Sequence, residues 1–104
     1  MQAMTEKVMQ SGNYLLFIYT PICGTCSVAR AMLENIEKIH KQPIFYEMNA
    51  NFEEDFMHEH QVEQVPCLFI MQDNEVKEKI YTLYSTGNIY RYLLEYKPEL
   101  FVKT

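Results

Sequence analysis

The fold of this chain is decided by residues 14–26, Tyr14-Leu15-Leu16-Phe17-Ile18-Tyr19-Thr20-Pro21-Ile22-Cys23-Gly24-Thr25-Cys26. The first six residues are an uninterrupted run of aromatic and aliphatic side chains, which predicts a strand buried on both faces. From Ser27 onward, apolar residues recur at helical spacing. We expect the apolar side of this helix to consist of Val28, Met32, Ile36 and Ile39. The two cysteines therefore lie between the carboxyl end of a central strand and the amino end of a helix.

The position and spacing of Cys23 and Cys26 predict thiol redox chemistry. The amino end of a helix has unpaired backbone N–H groups and the positive end of the helix dipole, and both stabilise a thiolate relative to a thiol. The two intervening residues let the sulfurs meet across one turn, so that a disulfide can form and open reversibly. Cys23 lies nearer the helix terminus and is the predicted exposed nucleophile. Cys26 lies one turn inside and is the predicted resolving thiol.

The length and composition of the chain predict a single domain, residues 1–104, with one hydrophobic core. A net charge of −5 and a pI near 5.1 disfavour a nucleic-acid partner and an anionic membrane surface. No apolar stretch approaches the roughly 20 residues that cross a bilayer. The start of the chain also lacks the apolar segment of a signal peptide. Three cysteines including a CxxC pair, in such a chain, predict a reducing, cytoplasmic location.

Apolar runs at residues 44–48 and 67–71 predict two further strands. Val65-Pro66 directly precedes the second run, where a proline removes no hydrogen bond from inside the strand. Asp73-Asn74 then favours a tight turn into a strand at residues 75–81. The expected order of elements, with the helices included, is α-β-α-β-α-β-β-α.

Two of the expected helices lie in the second half of the chain. Asn51 is the predicted cap of the first of them, and Phe52 and Phe56 are its predicted buried residues. Ser85 or Thr86 is the predicted cap of the second.

This order of elements resembles the thioredoxin superfamily, with Cys23-Gly24-Thr25-Cys26 after the first strand and Val65-Pro66 before the hairpin. The resemblance implies an α/β thioredoxin fold, in which a central mixed four-stranded sheet is flanked by helices. It also implies that the Val65–Pro66 bond is cis and lies beside the cysteines, with the Val65 backbone facing the substrate. The substrate-binding residues would then be Ile22, Gly24, Thr25, Val65 and Pro66.

The chain departs from thioredoxins at its start. Residues 4–10 are suited to a short helix that Gly12 ends, and the segment before Gly12 is too short to hold a strand as well. We therefore expect the sheet to lack the first strand of thioredoxins.

The chain also departs from thioredoxins around the active site. The buried carboxylate of the thioredoxin central strand corresponds to Phe17, and its lysine partner corresponds to Glu47. At four other positions this chain also has a different residue. Thioredoxins have tryptophan at the position of Ile22, proline at those of Thr25 and Ala31, and glycine at that of Thr82. Because Phe17 cannot accept a proton from Cys26, we expect resolution by Cys26 to be slow at neutral pH and to accelerate as the pH rises.

A zinc site is the alternative explanation for the CxxC pair. Structural zinc usually has four ligands. The remaining candidate ligands are Cys67, His40, His58 and His60. His58 and His60 fall on a polar helix beside Glu59, and a solvated helix face explains them better than a metal does.

Cys67 follows Pro66 directly, and the implied fold brings it near the CxxC pair. It could be a third redox thiol or a metal ligand. The alternative is a small apolar residue in a buried strand, where free cysteine is commonly found. The uniformly apolar run around Cys67 favours this second interpretation.

The predicted function is that of a cytoplasmic thiol–disulfide oxidoreductase, a protein-disulfide reductase that needs no cofactor. The expected partners are disulfide-bearing proteins and a recycling reductase, without nucleic acid or membrane, and the expected state is a monomer. One alternative is a glutaredoxin-like enzyme acting on low-molecular-weight thiol adducts, although the Gly-Gly segment that would line a small-thiol pocket does not occur near Thr86-Gly87. The other is a non-enzymatic module that binds metal or a partner through the same groove.

Overall fold

A computed structural model of the chain describes residues 1–102 and contains a five-stranded mixed sheet with helices on both faces. The strands are β1 Gln2–Ala3, β2 Tyr14–Tyr19, β3 Tyr46–Asn49, β4 Cys67–Gln72 and β5 Glu75–Ile80. The α-helices are α1 Glu6–Ser11, α2 Gly24–His40, α3 Glu54–Glu59 and α4 Thr86–Tyr96. Short 3-10 helices follow β3 and α4, at Ala50–Phe52 and Pro98–Phe101. The order across the sheet is β1-β3-β2-β4-β5.

Strand β2 lies at the centre of the sheet and is buried on both faces, as its composition predicted. It runs parallel to β3 and antiparallel to β4. Because successive side chains of a strand point to opposite faces, Phe17 belongs to the core cluster shared with α2 and α4. Its neighbour Ile18 belongs to the cluster shared with α1 and α3. Two cores therefore meet at one strand.

The expectation of a four-stranded sheet without a first strand was wrong. Gln2 and Ala3 form a short parallel strand, paired with Tyr46 and Glu47 of β3. Thr5 then caps α1 by accepting a hydrogen bond from the Val8 N–H at 3.2 Å. The segment before Gly12 holds both elements because two residues suffice for a strand that only extends the edge of β3.

Helix α2 buries a side that overlaps only in part with the predicted one: Ile36 is buried and Met32 packs against the core, as predicted. Its buried residues are Cys26, Ala29, Leu33 and Ile36. Val28 and Ile39 are exposed instead. The small side chains of Cys26 and Ala29 let the first turns of α2 lie close to the sheet, which a count of large apolar residues does not detect.

The start of α3 also differs from the prediction. Asn49, not Asn51, accepts the capping hydrogen bond, and it caps the 3-10 helix that precedes α3. Phe52 lies in that 3-10 helix and is 82% exposed, whereas Phe56 is buried as predicted. The extra turn between β3 and α3 separates the two phenylalanines, so that Phe52 faces solvent and Phe56 faces the core.

The tight turn and the helix cap predicted for the second half of the chain are both present. Asp73 and Asn74 both have positive φ angles, 54° and 63°, in the tight turn between β4 and β5. Ser85 caps α4 by accepting from the Asn88 N–H at 3.1 Å. Between Met1 and Val102, none of the helices is long and apolar enough to cross a membrane.

Candidate functional site

The CxxC pair lies between the end of β2 and the start of α2. Cys23 is the residue that caps α2, and its backbone is extended, with φ −136° and ψ 106°. Its sulfur accepts a hydrogen bond from the Cys26 N–H at 3.2 Å. Cys23 and Cys26 are joined by a disulfide, with their Cα atoms 5.1 Å apart. The structure therefore places the Cys23 sulfur at the backbone N–H groups of the helix terminus, bonded to the Cys26 sulfur one turn inside.

The two cysteines differ in their exposure to solvent. Cys23 is half-buried, whereas Cys26 is 3% exposed and belongs to the core cluster that contains Phe17. The hydroxyl of Thr25 lies 3.4 Å from Cys23 Sγ, and it is the donor because a disulfide sulfur has no proton. The exposure agrees with the expected order of the two thiols, and their roles as nucleophile and resolving thiol stay predictions.

The Val65–Pro66 bond is cis, as the resemblance implied. Val65 and Pro66 line a groove of about 380 Å³ that also includes Thr25 from the CxxC pair. Hydrogen bonds within residues 1–102 leave the Val65 N–H and C=O unused. The groove that Thr25 shares with Val65 therefore presents unpaired backbone groups, to which an extended peptide could add as a strand does.

The remaining predicted contact residues lie outside this groove. Ile22 is 99% exposed at the tip of the loop before Cys23, and Gly24 is exposed as well. Sequence reasoning did not assign to the site the other residues that line the groove, namely Val28, Gln64, Tyr81, Leu83 and Tyr84. All of the residues that line the groove have uncharged side chains. Helical spacing alone had placed Val28 in the core, whereas the structure shows that it is exposed and lines the groove.

Cys67 lies in a different environment from the CxxC pair. It is fully buried, it pairs with Ile18 across the sheet, and it belongs to the core cluster on the α1 and α3 side. Burial raises the pKa of the Cys67 thiol to about 12. These observations support the interpretation of Cys67 as a small apolar residue of a buried strand.

Of the histidines considered as metal ligands, His58 is exposed, and His40 and His60 make other contacts. The His60 ring packs 4.5 Å from the Phe56 ring and 5.3 Å from the Phe69 ring, so that a solvated helix face was the wrong explanation for it. His40 lies 3.3 Å from the Tyr90 hydroxyl, at the other end of α2. Within the part of the chain that the structure describes, no three His, Cys, Asp or Glu side chains are grouped as metal ligands.

Arg30 lies next to Phe17 and Glu47, the two residues that replace the thioredoxin carboxylate and its lysine partner. Sequence analysis had not assigned Arg30 to this region. Phe17 and Glu47 are paired in register on β2 and β3. Arg30, on α2, donates from Nη1 to Glu47 Oε2 at 2.7 Å. Burial alone would lower the pKa of Arg30, but the hydrogen bond and the charge of Glu47 outweigh it and raise that pKa. Separation by 17 residues on different elements hid this pair from local pattern reasoning.

Comparisons with known proteins agree on one family. The family model described as "Thioredoxin" matches residues 1–95. The curated "Thioredoxin-like protein YusE" of Bacillus subtilis is 35% identical over 77 residues, which are 74% of this chain and 73% of that protein.

Solved thioredoxin structures have a similar fold. A mutant thioredoxin from Halobacterium salinarum superposes with a TM-score of 0.73 at 20% identity, covering 91% of this chain and 86% of that chain. Plasmodium falciparum thioredoxin superposes with a TM-score of 0.74 at 10% identity, covering 92% of this chain and 99% of that chain. At these identities the likeness concerns the fold.

Proposed function

Because the chain belongs to the thioredoxin family, we propose that it is a thiol–disulfide oxidoreductase that reduces protein disulfides through Cys23 and Cys26. One observation carries the proposal: the disulfide lies at the amino end of α2, and Thr25, between the two cysteines, lines the same groove as Val65. The helix terminus favours a thiolate at Cys23, and the Val65 backbone offers a place for an extended substrate.

The reaction begins with both cysteines reduced. The Cys23 thiolate attacks one sulfur of a substrate disulfide, and the other substrate sulfur leaves as a thiolate with the electron pair of the broken bond. The Cys26 thiolate then attacks Cys23 Sγ and releases the second substrate sulfur. Two electrons pass to the substrate, and the protein ends with the Cys23–Cys26 disulfide.

The composition of the groove suggests which substrates would fit. Val28 and Tyr84 present exposed apolar surface, and the groove has no charged side chain. Placing a charged substrate residue there would cost desolvation energy without a counter-charge to offset it. We therefore propose that the segment around the substrate cysteine is extended and uncharged.

The direction of electron flow in the proposal requires other components. A dithiol that reduces proteins must itself be reduced, so a recycling reductase is a proposed partner. A compartment that keeps thiols reduced is also required, which is the reason for proposing a cytoplasmic location. The monomeric state and the absence of a cofactor stay predictions.

The test combines turnover with a trapped intermediate. Reduced protein is incubated with a disulfide-bonded protein, and the formation of free substrate thiols is followed. A Cys26→Ser variant should accumulate a mixed disulfide on Cys23, and Cys67→Ala is the matched control that removes a thiol outside the groove. Failure to trap an adduct on Cys23, or faster alkylation of Cys26 than of Cys23 in the reduced protein, would contradict the proposal. A strong preference for a low-molecular-weight thiol adduct would instead favour the glutaredoxin-like alternative.

A further inference from the structure

Arg30 is held in place by three side chains from two strands. Its guanidinium carbon lies 4.5 Å from the centre of the Tyr19 ring and 5.4 Å from that of the Phe17 ring. These two rings are stacked on each other, with their centroids 5.9 Å apart. Glu47 accepts the 2.7 Å hydrogen bond from Arg30 Nη1. We call these four residues, Arg30, Tyr19, Phe17 and Glu47, the arginine stack.

The arginine stack lies next to the resolving cysteine. Cys26 and Arg30 are four residues apart on α2, so their Cβ atoms are neighbours on one side of the helix, at about 6 Å. Long side chains of a helix lean toward its amino end, which carries the Arg30 side chain back toward the turn that contains Cys26. Phe17 lies in the same buried cluster as Cys26, and Tyr19 packs at its edge.

Few other charged or titratable groups face Cys26. On α2, they are Cys23 itself and Glu34, which lies one turn beyond Arg30. Strands β2 and β3 contribute Tyr19 and Glu47 of the arginine stack. The buried residues that β4, α4 and the segment between them add to this cluster are apolar, namely Leu68, Ile70, Ile80, Leu83, Ile89 and Leu93. Three tyrosines of α4 pack at its edge, Tyr90, Tyr92 and Tyr96.

Arg30 is also the single cationic residue in the first two turns of α2, residues 24–30. Its side chain is 28% exposed and that of Glu47 is 23% exposed, so that water screens the pair only in part. An opposite charge near a titratable group favours its ionised form, and the effect weakens with distance.

We propose that Arg30 is a positioning residue for the resolving step, its fixed charge favouring the thiolate of Cys26. The inference rests on the proposed oxidoreductase function. Glu47 has two effects: it fixes the guanidinium, and it neutralises part of the charge that reaches Cys26. Arg30 thereby offsets, from the helix, the lack of a carboxylate at Phe17, which cannot take up the Cys26 proton.

The Cys26 thiol loses its proton to solvent, and Arg30 lowers the free energy of the resulting anion without taking the proton. The thiolate attacks Cys23 Sγ, the bond between Cys23 and the substrate sulfur breaks, and the electron pair leaves with that sulfur. The released thiolate is then protonated by solvent.

The direct test is a titration of Cys26 in a Cys23→Ser background, followed by the ultraviolet absorbance of the thiolate. Cys67 does not interfere, because its pKa is about 12. Arg30→Met should raise the pKa of Cys26 by about one unit, and Arg30→Lys should keep it close to the value with arginine. Glu47→Gln should lower it, because the counter-charge is removed while an amide can still accept the hydrogen bond.

The opposite signs of the two expected shifts in the Cys26 pKa distinguish an electrostatic role of Arg30 from a structural one. If the arginine stack only supported the fold, Arg30→Met and Glu47→Gln would move the pKa of Cys26 in the same direction. Equal values for Arg30→Met and Arg30→Lys would overturn the proposal, as would a Glu47→Gln variant whose Cys26 pKa does not fall. The second criterion still decides if Arg30→Met fails to fold.

A kinetic measurement completes the test. At neutral pH, Arg30→Met should slow the decay of the mixed disulfide about threefold, because fewer Cys26 thiols are ionised although each thiolate is a stronger nucleophile. An unchanged rate at neutral pH in this variant would contradict the role in the resolving step. The titration needs no substrate. If the unmodified protein reduced no disulfide, the proposed function would fail while the pKa shifts of Cys26 could still be measured.

Discussion

Cys26 and Cys67 are two buried cysteines in the core clusters on opposite faces of the sheet, and only Cys26 lies at a helix terminus. Cys26 is 3% exposed and Cys67 is 0% exposed, so that burial does not distinguish them. Cys26 lies in the first turn of α2, in a disulfide with Cys23. Cys67 lies at the start of β4, paired with Ile18. The surroundings, rather than the degree of burial, separate the two thiols.

Neighbouring residues of β2 face the two regions. Phe17 belongs to the core cluster of Cys26, and Ile18 belongs to that of Cys67. The Cys26 side also has the helix terminus and Arg30, whereas burial dominates the environment of Cys67 and raises its pKa to about 12. A free cysteine in an apolar strand is thus protected from reaction by the same burial that stabilises the core.

The largest expected difference between the regions is in disulfide reduction. Cys23→Ser should reduce turnover of a protein disulfide to the background rate, because no nucleophile remains at the helix terminus. Cys67→Ala should keep turnover within a few-fold of the unmodified protein. Both variants are compared at equal concentration of folded protein, checked by circular dichroism. Loss of turnover in Cys67→Ala at full folding would show that the two regions are functionally connected.

A carboxylate introduced on the Cys26 side should break the apolar character of that region. Phe17→Asp removes a fully buried ring and buries a charge, with Arg30 as the nearest cation. We expect a loss of about 3–5 kcal/mol in the free energy of unfolding, of which the lost ring accounts for most. Urea unfolding measures this loss. Phe17→Asn is the matched control without the charge, and a Phe17→Asp protein within about 1 kcal/mol of the unmodified one would contradict the prediction.

Alkaline pH should reveal the contribution of Cys67 to the free energy of unfolding. Because burial raises the pKa of Cys67 from 9.0 to about 12, the unfolded chain loses this proton at lower pH than the folded protein does. The stability that the protonated Cys67 thiol contributes to the folded protein is fully present below about pH 9 and is lost as the pH rises toward 12. Between about pH 9 and pH 11, the free energy of unfolding should fall by about 2 kcal/mol more than in Cys67→Ala.

The alkaline measurement needs a background without exchangeable thiols. Cys23→Ala with Cys26→Ala leaves Cys67 as the single cysteine of the chain, and a reductant prevents dimer formation. Urea unfolding at the two pH values is then compared with and without Cys67→Ala. Equal pH dependence in the two proteins would show that the folded thiol ionises near its ordinary pKa.

The sequence was sufficient to place the elements that hold both thiols. The run from Tyr14 to Tyr19 has no polar interruption, so it could only be a central strand, and the CxxC pair had to follow it. The apolar run after Pro66 likewise assigned Cys67 to a buried strand. Long, uniform patterns of this kind are decided by local composition.

Features that depend on very short or distant contacts could not be predicted in this way. A strand of two residues, Gln2–Ala3, is too short to show any periodicity, and it forms because β3 has a free edge. Local sequence pattern assigned no role to Arg30, whose partner Glu47 lies 17 residues away on another element. The role proposed for Arg30 depends on the position of Glu47, which the register of β2 and β3 places beside Phe17.

The smallest expected effect concerns the hydroxyl of Thr25, which lies 3.4 Å from Cys23 Sγ. In the reduced protein this hydroxyl can donate to the Cys23 thiolate. Thr25→Val keeps the shape of the side chain and removes the donor. A hydrogen bond to a charged group contributes about 1.5–3 kcal/mol, and the large, diffuse sulfur with a solvent-exposed partner should realise only a fraction of this. We therefore expect the pKa of Cys23 to rise by about half a unit, where one unit corresponds to about 1.4 kcal/mol.

The pH dependence of alkylation at Cys23 measures the shift. Thr25→Ser keeps the hydroxyl and should leave the pKa of Cys23 unchanged. If Thr25→Val has no effect, the helix terminus and the Cys26 N–H alone distinguish this thiol from Cys67.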